Sequence, residues 1–510
     1  MKHPFVILAA ILIAWVAPSH AEGLKLASLF SDHMVIQREL AVPVWGWAQT
    51  GEEITVEFAG QKKTAKADAT GKWLVRLDPM PAAADGRELV VQTICGSQNS
   101  KITDVVVGDV WLCSGQSNIL FRMNKVENSL QEIANANHPS IRFFSVKEQF
   151  AQSPASDVKG EWKPASPATV ADCSAVSYYF ATALQQKIGI PMGLLVSSVG
   201  GTRIETWMPP QTLTNLGEAG SLIEKWKDVS PGEFEKIAAD YRSYQYQRDA
   251  PSSTAIADPN QKKILRKPPE RRCHDCPGAL YYGMIAPLQP FAIRGFLWYQ
   301  GEANSGRPAS YEKLLPGLIA DWRNVWGKDL PFLFVQLAPY QGTHPAFREA
   351  QQRIWQKTVN SAMVVTTDVG DANDIHPTRK RPVGERLALA ARALSYGEQV
   401  EYSGPVFKSM SIERDRTVIS FSHLGGGLMV DGDALNGFTI AGKDGKFVPA
   451  SAVVDGPTVL VSSDEIANPT AVRFGWAMVP DGNLFNREGI PAAPFRTDEA
   501  KELIREWKSN

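Results

Sequence analysis

The chain has 510 residues, 44% of them hydrophobic and 21% charged. That is more than one ordinary core accommodates, so about two to four domains are expected. Lys and Arg number 53 against 54 Asp and Glu, a net charge of −1, which gives no electrostatic basis for binding nucleic acid or another acidic polymer.

At the N-terminus, Lys2 and His3 precede an apolar run over 5–17, and Pro18 with Ser19-His20-Ala21 follows it. This predicts a secretory signal peptide over 1–21, cleaved after Ala21. The run is shorter than the ~20 residues a membrane span requires. The expected product is exported, periplasmic or secreted, and free of the membrane once the signal is removed. Over 22–104, short alternating runs are broken by glycines and charged turns, as in "VPVWGWAQTGEEITVEFAGQKKTAKADATGKWLVRL". Such spacing predicts a β-sandwich.

From 105 the pattern changes. "VVVGDVWLCSG" is an apolar run of strand length, as expected of a strand buried on both faces. A helix is predicted over 174–189, then a strand over 193–201 and another over 291–302. Helix 311–327, strand 330–340, helix 347–359, strand 362–371 and helix 381–397 follow. Strands alternating with helices predict an α/β domain with a largely parallel sheet over 105–399, interrupted by an inserted loop at about 252–280. Within it, the basic clusters at 262–267 and 270–272 lie among prolines without interleaved aromatics and read as solvated. Beyond 400 the short-strand pattern returns and predicts an all-β module to 510, ended by a short amphipathic helix, "TDEAKELIREWK".

Five cysteines form an odd set. Cys273-His274-Asp275-Cys276 has half the spacing of a zinc site, with no second pair near it. A local disulfide or two solvent-exposed thiols is the expectation. Cys113 is expected to fill space in its strand.

In open parallel sheets, ligands bind where strands end. The predicted strand ends deliver Gly115-Gln116-Ser117-Asn118, Gly200-Gly201-Thr202-Arg203, Gln300-Gly301-Glu302-Ala303-Asn304, and the segment from Asp371 to Pro377 that contains Asp374 and His376. A Gly-x-Ser turn after a buried strand can hold a hydroxyl outward beside free backbone N–H groups. The fifth residue of a Gly-x-Ser-x-Gly elbow is here Ile119, so the turn alone does not distinguish a nucleophile from an ordinary turn serine. A hydroxyl nucleophile requires a base and a group that fixes the base's tautomer; His376, with carboxylates at 371 and 374, offers both. A helix-capping cluster would use the same residues. The amides of Gln300 and Asn304 can donate to an oxyanion, completed by backbone N–H groups of Gln116, Ser117 or Gly201.

At these four blocks the chain resembles the sialate O-acetylesterase family, within the SGNH-hydrolase-like esterases that include acetyl-xylan esterases. The blocks are "SGQSN" (114–118), "SSVGGTRIETWM" (197–208), "YYGMIAPLQPFAIRGFLWYQGEAN" (281–304) and "DVGDANDIHPTRKRPVGERLALAA" (368–391); "LASLFSDHMVIQRE" (26–39) and "GFTIAGKDGKFVPASA" (437–452) extend the likeness into the β regions. The resemblance implies an SGNH, flavodoxin-like catalytic domain flanked by all-β modules. It implies a serine esterase that removes O-acetyl groups from carbohydrates, with sialic acid or hemicellulose of the xylan type as carrier and no metal or organic cofactor. Carried over, Ser117 is the nucleophile and His376 the base. Gln300 is the first side-chain oxyanion donor, with Gln116, Gly201 and Asn304 as further donors. Many relatives place an Asp three residues before the His; that position is Asn373 here. Asp374 therefore takes the role, with Asp371 next, or the pair is a Ser-His dyad oriented by a backbone carbonyl. Arg203, Glu302 and Trp207 are the expected sugar contacts, with Trp298 a further aromatic, although core packing is the plainer use of each tryptophan. Two readings of other classes compete. One is a non-catalytic carbohydrate-binding protein, the other a metal-dependent hydrolase using Cys273, His274 and Cys276.

Overall fold

The run that ends at Gly115 is one 17-residue strand, Asn99–Gly115 (β1). Its first part alternates between exposed and buried residues, and from Val105 every side chain is buried, so one strand serves two sheets. In this computed structural model residues 23–249 and 271–498 are described, except 95, 97 and 328. The expected signal peptide, the clusters at 262–267 and 270, and the expected C-terminal helix lie outside the described residues.

The central sheet adds His138–Ser145 (β2), Trp162–Ala165 (β3), Met192–Ser198 (β4), Gly295–Tyr299 (β5), Phe332–Val335 (β6) and Ser361–Val364 (β7) in the order β3-β2-β4-β1-β5-β6-β7. All neighbours are parallel except β3, which runs against β2. The chain moves from β1 to β4 on one side, then returns to β5 on the other. The carboxyl end of β1 is thus the topological switch point, where loops diverge and leave a crevice. Gly115 ends the strand at φ 134°, and a Cβ there would lie 2.2 Å from the Tyr299 carbonyl oxygen. Only glycine fits this approach, which releases the chain from the sheet one residue before Gln116.

Five helices accompany these strands: Ser117–Leu120 (α1), Ala175–Ile188 (α2), Pro308–Trp326 (α3), Pro345–Lys357 (α4) and Arg381–Tyr396 (α5). Ser174 caps α2 by accepting from Ser177 N–H, and Gly189, Gly327 and Gly397 close α2, α3 and α5 in the left-handed conformation. The predicted helices and strands of 174–201 and 291–397 are all present, but the strands expected to reach 340 and 371 end at Val335 and Val364. Strands β2 and β3 and the helices over 210–249 were not anticipated.

The N-terminal strands do not form a separate sandwich core. Strands Glu53–Phe58, Gln61–Lys66 and Ala83–Thr93 join the first half of β1 through Ala83–Thr93, so the boundary expected near 104 falls inside one strand. Phe30 and Trp45 pack against Phe291 of the α/β region at centroid distances of 5.9 and 6.3 Å, and one hydrophobic core runs through both. After Val406 three antiparallel sheets enclose a second core around Ile419, Phe421, Ile440 and Phe474. Arg348 of α4 ties this module to the centre. Fully buried, it donates to the carbonyls of Leu337 and Ala338 on one side and of Ala477 and Met478 on the other.

Candidate active site

Ser117 is the first residue of α1, and its Oγ lies 2.8 Å from His376 Nε2. The two residues are 259 positions apart in the chain and meet only because β1 and β7 end on the same edge of the sheet. Gly200 presses against the serine: a Cβ on it would sit 3.4 Å from Ser117 Cβ. No described carbonyl or side chain accepts from the backbone N–H of Ser117, Gly200 or Gly201.

The loop that carries His376 is built on side-chain caps. Asp371 Oδ1 accepts from the N–H groups of Asn373 and Asp374, at 2.8 and 3.2 Å, and Asp374 Oδ1 accepts from His376 N–H at 2.8 Å. These are the local bonds short acidic side chains make in turns. Asp371 is therefore spent on the loop and does not reach the imidazole. Asp374 Oδ1 comes within 3.6 Å of His376 Nδ1 and is 60% exposed, too long for a hydrogen bond but close enough to favour an imidazolium. Phe121 stacks beside the ring at 6.5 Å. Burial holds the His376 pKa below the usual 6.5; Asp374 opposes this, while Lys380 and Lys125 add to it. The imidazole is thus neutral, and able to accept a proton, at neutral pH.

Beneath the pair lies a polar network absent from the sequence expectations. Asn118 Nδ2 donates to the Ile375 carbonyl at 3.0 Å and to Glu302 Oε1, and Asn118 Oδ1 accepts from Lys380 Nζ. Lys380 is 1% exposed and lies over the rings of Phe121 and Tyr299 at 4.8 and 5.6 Å. Asn118 stood inside a quoted motif. Lys380 stood in the run Arg379-Lys380-Arg381, where no local pattern marks which cation turns inward.

The structure corrects several expected roles. Gln300 is fully buried, and its Nε2 donates to Thr202 O at 3.1 Å and Asn304 Oδ1 at 2.8 Å. Because Asn304 Oδ1 also accepts from Ile204 N–H, the amide orientations are fixed and Gln300 has no hydrogen left for an oxyanion. Asn304 faces inward as well, with Nδ2 on Glu205 Oε2 at 2.9 Å. Glu302, expected to contact sugar, instead accepts from Asn118 Nδ2. The Gln116 backbone N–H is spent on Tyr299 O, whereas its side-chain Oε1 faces the N–H groups of Gly301 and Ala303 at 3.5 and 3.4 Å and no described residue accepts from its Nε2. Trp207 is fully buried, donates Nε1 to Thr202 Oγ1, and packs edge-on against Trp298, itself 1% exposed. Both tryptophans are core and neither offers a face to sugar.

Arg203 does reach the surface, 33% exposed, with Nε 3.4 Å from Asp275 Oδ1. Asp275 belongs to the turn of Cys273 and Cys276, whose position is the reverse of the expectation. Both thiols are free and buried, not disulfide-bonded and not exposed. Phe150 and Tyr241 cover His274, whose Nδ1 shares a hydrogen bond with Tyr241 OH. Burial pushes the Cys273 thiol up to about 12 and Cys113 likewise, so neither behaves as a thiolate. Among the described residues no group of His, Cys, Asp and Glu is gathered as metal ligands.

Residues 107–235 and 274–393 match the family model of carbohydrate esterases described as sialic acid-specific acetylesterase. The chain is 28% identical to the sialate O-acetylesterase of Mus musculus over 462 residues, 82% of each chain, and 27% identical to that of Homo sapiens, covering 83% of this chain and 81% of the human one. A carbohydrate acetylesterase from Xanthomonas citri is 37% identical, with a TM-score of 0.79 over 93% of this chain and 99% of the other. Likeness at this identity and coverage, joined to a serine and a histidine in contact at the switch point, establishes that the chain belongs to the sialate O-acetylesterase family of carbohydrate esterases and is a carboxylic ester hydrolase.

Proposed function

We propose that the protein is an exported serine esterase that removes O-acetyl groups from carbohydrates through an acetyl-enzyme formed on Ser117. The 2.8 Å contact between Ser117 Oγ and a neutral His376 carries the reading. Ser117 Oγ attacks the acetyl carbonyl while His376 Nε2 takes its proton. The tetrahedral oxyanion faces the free N–H groups of Ser117, Gly200 and Gly201, with Gln116 Nε2 as the side-chain donor in place of Gln300. His376 then returns the proton to the departing sugar oxygen, and water, activated by the same imidazole, releases acetate. Neither a binding protein nor a thiolate metal site would need this contact, and the burial of Cys273 weighs against the second. The apolar run at 5–17 supports export.

Mass spectrometry of enzyme quenched in acid during turnover of 4-nitrophenyl acetate tests the route. The peptide containing Ser117 is expected to gain one acetyl group, lost again on standing at neutral pH. An unmodified serine peptide under a measured pre-steady-state burst would end the proposal.

Lys125, an exposed cation close enough to lower the His376 pKa, favours an acidic sugar, whereas Arg203 is paired with Asp275. O-acetylated sialic acid is therefore the substrate we propose first, with acetylated xylan as the alternative. Acetate release from both at equal ester concentration decides between them. Asp374→Ala is expected to lower kcat only about tenfold, not the ~10⁴-fold of a buried triad carboxylate. Because Asp374 raises the His376 pKa, the variant's acid limb should also move to lower pH.

A further inference from the structure

Lys380 is a buried cation that the esterase chemistry of Ser117 and His376 does not use. We propose that Lys380 is a positioning residue, which fixes the Asn118 amide and, through the Ile375 carbonyl, holds His376 against Ser117. The inference rests on the serine–histidine reading of the site.

The geometry leaves the amide one orientation. Asn118 Nδ2 directs one hydrogen to Ile375 O, the carbonyl that immediately precedes His376, and the other to Glu302 Oε1; Oδ1 receives the ammonium of Lys380. Turned over, the amide would set its oxygen against a carbonyl and a carboxylate and its NH₂ against a cation. Without the lysine, the penalty for turning shrinks and the tie to the His376 loop weakens. That tie matters here because Asp374 stops 3.6 Å short of His376 Nδ1, so the imidazole lacks the carboxylate bond that orients the base in a Ser-His-Asp triad.

The charge on Lys380 is itself conditional. Burial pulls its pKa down from 10.5 to about 7, with Glu302 and Asp374 opposing. The groups facing it are Glu302 from the loop after β5, the Tyr299 ring at the end of β5, Asn118 and Phe121 from α1 and its exit, and Asp374 and His376 from its own loop. Burial holds Glu302 above the usual carboxylate range. A lysine whose pKa is lowered carries its charge below that pKa and loses it as the pH rises through it. The neutral amine still offers an N–H to Asn118 Oδ1 but no charge, so the amide is held less firmly on the alkaline side, giving a partial limb that no group of the serine–histidine chemistry supplies.

The test is a pH–rate profile of 4-nitrophenyl acetate hydrolysis for wild type, Lys380→Met, Lys380→Gln and Ser117→Ala, with thermal melting of each. In wild type, kcat should fall on the alkaline side with a midpoint within about one unit of 7. Lys380→Met should lose about 10- to 100-fold in kcat with KM within about twofold, and should lack the alkaline limb. Lys380→Gln, which keeps an N–H donor without the charge, should recover part of the loss and also lack the limb; it decides the matter should the methionine variant not fold. A kcat within twofold of wild type in either folded variant, or an alkaline limb that survives in both, overturns the positioning role. Should Ser117→Ala remain active, the serine reading itself fails. Should Ser117→Ala be dead while Lys380→Met is fully active, only the role of Lys380 falls.

Discussion

Ser117→Ala is expected to reduce acetate release from 4-nitrophenyl acetate by ~10³-fold or more, with no loss of thermal stability. Among the described residues the hydroxyl bonds only to His376 Nε2, and its removal leaves no buried polar group among them orphaned, so folding should not register the change. His376→Ala should fall to a similar level, and the double variant little further, because residues that act as one unit lose their effect together. Rate above background in either variant would come from the N–H groups of Ser117, Gly200 and Gly201. The pH dependence has a fixed sign. In the proposed mechanism the reactive form of His376 is the neutral one, and its pKa is depressed by burial and by Lys380 and Lys125. Activity should therefore persist below pH 6.5 and fall only as the pH drops through the depressed value. An active Ser117→Ala would remove Ser117 and His376 from the chemistry, whereas a wild-type acid limb centred above 6.5 would mean that Asp374 outweighs burial at the imidazole.

The sequence made the site legible wherever position along a strand decided the outcome. A buried run ending in glycine must leave the sheet there, so Ser117, Gly201 and His376 could be placed on one edge before any contact was known. What each side chain does there depends on atoms that the run cannot specify. Gln300 has the donor chemistry for an oxyanion, but the Ile204 N–H fixes Asn304 Oδ1 and thereby takes a Gln300 hydrogen inward. Cys273 to Cys276 lie next to a prolyl, charged stretch that reads as solvated, yet Tyr241, 32 residues before Cys273, lies against that turn. Lys380 and Arg381 are neighbours of the same type; one is buried under Phe121 and the other reaches Glu132 at the surface. The N-terminal strands have the turn spacing of an independent sandwich, and the continuity of β1 through residue 104, with Phe30 and Trp45 packed on Phe291, shows that they share its core. In each case local composition was informative and the deciding partner was remote.

The middle of β1 offers the largest expected effect on stability. Asp109 is fully buried, six residues before Gly115. Its carboxylate accepts from Gln37 Nε2 at 2.7 Å, from Arg38 Nε and Nη2 at 3.1 and 3.2 Å, from Arg294 Nε at 3.0 Å and from Tyr396 OH at 2.7 Å. These partners come from the N-terminal strands, from the entry to β5 and from the last residue of α5, so one carboxylate joins three parts of the chain. Asp109→Ala should destabilise by about 3–5 kcal/mol, because it leaves two guanidinium groups without their shared counter-charge. Glu39, in contact with both Arg38 and Arg294 but 53% exposed, offsets only part of this. Asp109→Asn keeps the shape and an acceptor and should cost less. The measurement is denaturant unfolding followed separately by tryptophan fluorescence and by esterase activity, since a chain with two hydrophobic cores need not unfold in one step. Activity and the first fluorescence transition should shift together, while kcat of the still-folded variant stays within about twofold of wild type. The switch point is held by its own local bonds, namely Gly115 against Tyr299 O and Asn118 against Ile375 O, and these do not pass through Asp109. A folded Asp109→Ala with strongly reduced kcat would mean instead that the middle of β1 is mechanically coupled to its carboxyl end, and that the N-terminal strands help to shape the site.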